Sequence, residues 1–187
     1  MTELILFHHA QGLTDGVRAF ADDLRAAGHR VTVPDLYEGA TFPTIPEGVA
    51  NASKIGFDTI IRRGEDAAAS LPDAVVYAGF SLGALPAQKL AQTRPGALGA
   101  ILFHGGDVPA SEFGTWPVGV PLQVHLSEGD PWMESEAVEG LVADAGGELF
   151  LYPGSRHLFT DRSSDEYDEA SASLVMERTL ALLDRRS

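Results

Sequence analysis

Residues 73–88, DAVVYAGFSLGALPAQ, run an apolar, β-branched segment straight into Gly79-Phe80-Ser81-Leu82-Gly83. A Gly-x-Ser-x-Gly turn between a strand and a helix has the shape of a nucleophile elbow, in which the glycines permit a tight, strained turn that lifts the serine hydroxyl above the sheet edge. The pentapeptide alone is a weak signal in a chain with 20 glycines. A Gly-rich strand-to-helix turn or a phosphate-cradling loop would read similarly. A dinucleotide fingerprint needs a Gly-x-Gly pair after the first strand, whereas the first apolar run here ends in His8-His9-Ala10-Gln11-Gly12. The surroundings therefore decide whether Ser81 is a nucleophile.

Outward from the turn, apolar runs of the same kind recur at 4–8, 30–33, 74–78, 100–103, 122–126 and 148–152. They are short and mostly continuous rather than alternating, as expected of strands buried on both faces of a parallel sheet. Between the first two runs, Val17, Phe20, Ala21, Leu24 and Ala27 fall at helical spacing, with Thr14 or Asp15 as cap and Gly28 as stop. Residues 51–70, 83–93, 134–145 and 165–185 read as further helices. The last opens on Asp165, Glu166, Asp168 and Glu169 and closes on Arg185-Arg186, as the helix dipole favours. The regular succession predicts a doubly wound α/β domain with about six parallel strands flanked by helices. Residues 38–50 and 105–120 read as long loops, and the second is too short to hold a cap domain.

With 187 residues and 44% hydrophobic content, the chain has the size and balance of one domain spanning residues 1–187. No cysteine is present, which excludes disulfides, thiolate metal sites and a thiol nucleophile. MTELILFHHAQG has no basic segment before its short apolar run and fits neither a signal peptide nor a membrane span, so the expectation is a cytoplasmic protein. A net charge of −14 with no basic cluster argues against nucleic acid and anionic membrane as partners.

A serine hydroxyl needs a base to take its proton, and the base needs an orienting acid. In a strand–elbow–helix setting the expected chain order is serine, acid, histidine. Of six histidines, His29 follows a helix stop at the far end of the sheet and His125 lies in mid-strand. His104 ends a strand at the correct edge. His157, in YPGSRHLFTD after the last strand, is where an imidazole can reach across to Ser81. For the acid, HLSEGDPWM offers Asp130, in the loop proper, ahead of Glu128 at the strand end; Asp107 is the reserve, and Gly-Asp-Pro is also a good turn by itself. Donors for an oxyanion belong on the main-chain N–H of Leu82, just after the nucleophile, and of Ala10, after the first strand.

In order, HHAQGLTDGVRAFADDLRAAGHRVTVPDLYEG, GFSLGA, EGDPWM and GSRHLFTD resemble the dienelactone hydrolase family of α/β-hydrolases over most of the chain. PDLYEG at 34–39 and the Gly-Ser-Arg-His-Leu-Phe block are more specific than the elbow. The resemblance implies a compact α/β-hydrolase fold, a triad of Ser81, Asp130 and His157, and an oxyanion hole at Ala10 and Leu82. It implies a hydrolase for a small carboxylic ester or lactone, without a cofactor. The chain departs from that family in having Ser81 where those enzymes have cysteine, and His9 where they place an acidic side chain beside the thiol. Shortly after the histidine it reads Asp161-Arg162 where the family often has an arginine for a substrate carboxylate.

For substrate contact, His9, Tyr37, Phe80, Trp132 and Phe159 lie near strand ends on the catalytic side or in the long loops, as do Phe42 and Trp116. Phe159 and Trp132 are equally compatible with core packing. Arg62, Arg63, Arg156 and Arg162 are the cations that could reverse the negative field locally, although each also reads as solvated surface charge. Neighbouring residues of a strand point to opposite faces, so His8-His9 argues against a shared metal. His8 is expected to be hydrogen-bonded beneath the pocket. Rival readings are a thioesterase, amidase or lyase on the same triad, or a binding protein that keeps the fold without the chemistry.

Overall fold

The structure, a computed structural model, describes residues 1–186. Strands β1 (Glu3–Phe7), β2 (Arg30–Thr32), β3 (Val76–Phe80), β4 (Gly99–Phe103), β5 (Leu122–Ser127) and β6 (Glu148–Tyr152) form one parallel sheet in the order β2-β1-β3-β4-β5-β6. Parallel neighbours need crossovers, supplied by helices α1 (Asp15–Ala26), α2 (Ile45–Ile55), α3 (Phe57–Ala68), α4 (Ala84–Thr93) and α5 (Ser135–Ala145). A final helix, α6 (Glu169–Asp184), follows β6. This is the compact α/β-hydrolase arrangement. No helix among the described residues is long and apolar enough to cross a membrane.

The continuous apolar runs are explained by two cores, one on each face. Leu4, Leu6, Val76, Ala78, Phe80, Ile101 and Phe103 pack with α1 and α6 through Val17, Phe20, Leu24, Val175 and Leu182. Their strand neighbours Ile5, Phe7, Tyr77, Ala100 and Leu102 face Ile60, Ala87, Leu90 and Leu141 of the other helices. Alternate residues serve opposite faces, and both faces are covered.

β3 begins two residues later than the apolar run suggests and ends at Phe80, so the strand delivers the chain directly to Ser81. The segment 38–50, expected to be loop throughout, becomes helical at Ile45. Thr44 caps α2 by accepting from Glu47 N–H, and a proline in the first turn forfeits no hydrogen bond because those N–H groups have no intrahelical acceptor. The helix expected over 51–70 is two, broken where Gly56 takes φ 93°. α6 starts at Glu169 with Asp168 as its cap, leaving Asp165 and Glu166 in the preceding turns.

The strand order reverses between β1 and β3, which makes their carboxyl ends the switch point where clefts form in open parallel sheets. Both Ala10 and Ser81 leave the sheet there.

Candidate active site

Ser81 opens a short 3-10 turn, Ser81–Gly83, between β3 and α4, and holds φ at 49°. A left-handed conformation at a residue with a Cβ costs about 1–2 kcal/mol and persists only where the surroundings enforce it. Gly79 and Gly83 enforce it here. A Cβ on Gly79 would overlap the Gly83 carbonyl, and one on Gly83 would lie 2.5 Å from Phe7 O and 2.7 Å from His8 O.

The loop after β6 brings His157 to this turn. Its Nε2 lies 2.8 Å from Ser81 Oγ, and its Nδ1 lies 2.8 and 3.0 Å from the two oxygens of Asp130, which arrives from the loop after β5. The side chains of His157 and Asp130 are 1% and 2% exposed. Trp132 N–H donates to Asp130 Oδ1 at 2.9 Å and fixes the carboxylate from its other side. With Nδ1–H donated to Asp130, Nε2 faces the serine hydroxyl as an acceptor. Glu128 is exposed at the strand end. Asp107 makes no hydrogen bond to His157 among the described residues, and burial pushes its carboxyl up.

The main chain supplies donors at the two expected positions. Leu82 N–H belongs to the first turn of the helical segment after β3, where N–H groups lack intrahelical acceptors. In the loop after β1, Gln11 N–H donates to His9 Nδ1 and Gly12 N–H to His9 O, while Ala10 N–H has no acceptor among the described residues.

Four of the five side chains expected to touch substrate lie buried in the structure. His9, Tyr37, Phe80 and Phe159 are 1–4% exposed. Tyr37 donates to Gly48 O and meets His8 edge-on, while Phe80 stacks on Phe103 at 4.7 Å. Phe159 packs against His104 and Tyr152. Sequence position did not reveal how deeply these rings are packed. Trp132 differs: it is 41% exposed, with its ring centroid 6.1 Å from that of His157. Trp116 is buried and donates to Val120 O.

The remaining histidines are held by the core. His8 donates Nδ1–H to His9 O and accepts from Leu36 N–H at Nε2; burial, outweighing the bond to His9 O, lowers its pKa to about 4. His125, hydrogen-bonded to Tyr152 Oη and stacked between Phe103 and Phe150, is lowered to about 3 by burial. His29 is buried 3.8 Å from an Asp184 oxygen. His9 Nε2 meets Asp161 Oδ2 at 2.7 Å, a pair 152 residues apart for which the sequence carried no signal. Burial alone would raise the Asp161 carboxyl, but hydrogen bonds from His9, Ser163 and Thr14 outweigh it and hold the group below the usual carboxylate range. No group of three or more potential metal ligands occurs among the described residues.

An open groove of about 770 Å³ runs beside the loop after β1, lined by Gln11, Thr14 and Phe42 and by the acidic residues Asp15, Asp161, Asp165 and Glu166. Neither Ser81 nor His157 lines it. The four arginines considered for an anionic substrate are engaged elsewhere. Arg62 donates to Thr59, Arg63 to Leu36 O, Arg156 to Tyr167 O and Arg162 to Asp23.

Comparison with known proteins agrees with this architecture. A dienelactone hydrolase-like promiscuous phosphotriesterase from metagenomic libraries superposes with a TM-score of 0.81 at 17% identity, over 99% of this chain and 86% of that one. The dienelactone hydrolase of Anabaena variabilis ATCC 29413 gives 0.70 at 19% identity, over 98% and 86%. A thermophilic esterase from Thermogutta terrifontis, solved with butyrate bound, gives 0.65 at 16% identity, over 98% and 83%. No curated protein sequence matches the chain. The family model for the dienelactone hydrolase family matches residues 2–187, and the chain belongs to that family.

Proposed function

We propose that this chain is a serine hydrolase that cleaves a small carboxylic ester or lactone through an acyl-enzyme. The observation that carries the reading is the 2.8 Å approach of His157 Nε2 to Ser81 Oγ, on a ring whose other nitrogen faces Asp130. Ser81 Oγ attacks the carbonyl carbon while His157 Nε2 takes its proton, and the Asp130 carboxylate stabilises the imidazolium that forms. The carbonyl oxygen becomes an oxyanion that accepts from the N–H groups of Leu82 and Ala10. His157 then returns the proton to the departing alkoxide, which leaves as an alcohol or, from a lactone, stays tethered to the acyl group. Water, deprotonated by His157, attacks the acyl-Ser81 carbonyl and releases the acid, and Ser81 recovers its proton.

The small substrate follows from the connection between β4 and β5, which contains only the 3-10 turn Ala110–Glu112 and so covers the site with no cap. Trp132, standing half in solvent beside His157, supplies an apolar surface for an acyl or alkoxy group. A neutral ester is favoured over an anionic one, because the groove beside the site is acidic and the nearby arginines are engaged.

The test is intact mass after incubation with a small reactive organophosphonate, together with hydrolysis of p-nitrophenyl butyrate. A single adduct on wild type, none on Ser81→Ala, and a fall in turnover of about 10⁴-fold or more in that variant are expected. Adduct-free wild type would favour a binding protein, and undiminished hydrolysis by Ser81→Ala would remove Ser81 as the nucleophile.

A further inference from the structure

The segment His157–Asp161 is a loop, yet its five residues are 1–4% exposed. Loops ordinarily run over the surface, since buried backbone and polar side chains need partners. Two of those partners are histidines from different strand ends. His9, just after β1, meets Asp161 Oδ2 at 2.7 Å, and His104, just after β4, meets Thr160 Oγ1 at 2.7 Å. Both rings are buried, and they approach consecutive residues of the loop that carries His157.

His9 is also tied to the loop after β1, and His104 to β5 and to the His157 loop itself. His9 Nδ1 accepts from Gln11 N–H and its carbonyl from Gly12 N–H, which shapes the turn presenting Ala10 N–H. His104 holds φ at 54°, one of three positive-φ non-glycine residues among those described, and Ser81 is another. Its N–H donates to His125 O at 2.8 Å, its ring meets Phe159 edge-on at 4.5 Å, and its centroid lies 5.8 Å from that of His157. Strain of this kind survives where the surroundings over-determine it.

We infer that His9 and His104 are positioning residues that clamp the 157–161 loop at Asp161 and Thr160 and so hold the His157 ring in register with Ser81 and with the Ala10 donor. The inference rests on the proposed triad. Neither ring touches the reacting atoms, so their effect is on geometry, where a misplacement of about 1 Å costs about 100-fold in rate.

The experiment compares His9→Ala, His9→Gln, His104→Ala and His104→Gln for kcat, KM, melting temperature and the low-field proton resonance of the His157–Asp130 hydrogen bond. Each alanine variant should lose about 10- to 100-fold in kcat with KM little changed, and should lose or broaden that resonance. Each glutamine variant, whose Nε2 can donate where the imidazole Nε2 stood, should recover most of kcat. Thr160→Val, which removes only the hydroxyl that His104 meets, tests the same bond if an alanine variant does not fold. An unchanged kcat in Thr160→Val with the resonance intact would overturn the His104 arm. Loss of kcat in proportion to lost folded protein, without rescue by glutamine, would overturn the clamp as a whole. Failure of the triad itself would show separately, as organophosphonate labelling that survives in Ser81→Ala.

Discussion

The carbonyl oxygen of Gly83 fills the space that a Cβ on Gly79 would need. Backbone meets backbone across the elbow, and no side-chain rotation can relieve an added methyl group. Gly79→Ala should therefore lose about 1–3 kcal/mol of stability together with most ester hydrolysis. Gly140→Ala in α5, where a Cβ would meet open space, should instead stabilise by up to about 1 kcal/mol. Denaturant titrations of the two variants check this. Equal effects would show that the close approach does not constrain the turn.

Asp130 accepts from His157 Nδ1–H with both oxygens in reach. In Asp130→Asn the amide can present its N–H to the ring and favour the tautomer that puts a proton on Nε2, where the serine proton must go. A fall in kcat of about 10⁴-fold is expected with the fold retained. Single-turnover kinetics with a chromogenic butyrate ester measure it. A loss below about tenfold would remove Asp130 as the orienting acid and direct attention to Asp107.

The charge around the site predicts a preference. With a net charge of −14 and an acidic groove beside the β1 loop, a neutral butyrate ester should be hydrolysed with a higher kcat/KM than a succinate half-ester of the same alcohol. The gap should narrow as ionic strength rises, because salt screens exposed charge. A salt-independent ratio would mean that shape, not field, sets the discrimination.

Stability should fall on mild acidification. Burial lowers the pKa of His8 to about 4 and of His125 to about 3, and lowers that of His104 as well. In the unfolded chain these rings protonate near the ordinary value of about 6.5. Below that pH the unfolded state binds more protons than the folded one, so stability is full above it and is lost as pH drops. Each ring should cost about 1 kcal/mol one pH unit below its unfolded value. Denaturant midpoints between about pH 7.5 and 5 read the slope. A flat profile would mean the histidines stay solvated in the native state.

The sheet and the elbow could be read from the chain because each rests on local pattern. Continuous apolar runs mark parallel strands, and Gly79 and Gly83 flank Ser81 at a spacing only a sharp turn requires. His157 and Asp130 followed from chain order. α2 was hidden by Pro43 and Pro46, although Thr44 and Glu47 carried the spacing of a capping box. The burial of Phe80, Tyr37 and Phe159 was hidden for a different reason: a ring beside a cleft can face the cleft or the core, and only the tertiary packing around it decides. The contacts His9–Asp161 and His104–Thr160 join residues 152 and 56 positions apart, and no short-range pattern encodes them.

The burial of residues 157–161 has a practical meaning. A loop packed this deeply cannot fray while the rest of the molecule stays folded, because exposing it would pull Phe159 out of its core and break the contacts of Thr160 and Asp161 with His104 and His9. Heat inactivation and global unfolding should then be a single event, so that turnover of a chromogenic ester serves as a gauge of the native population.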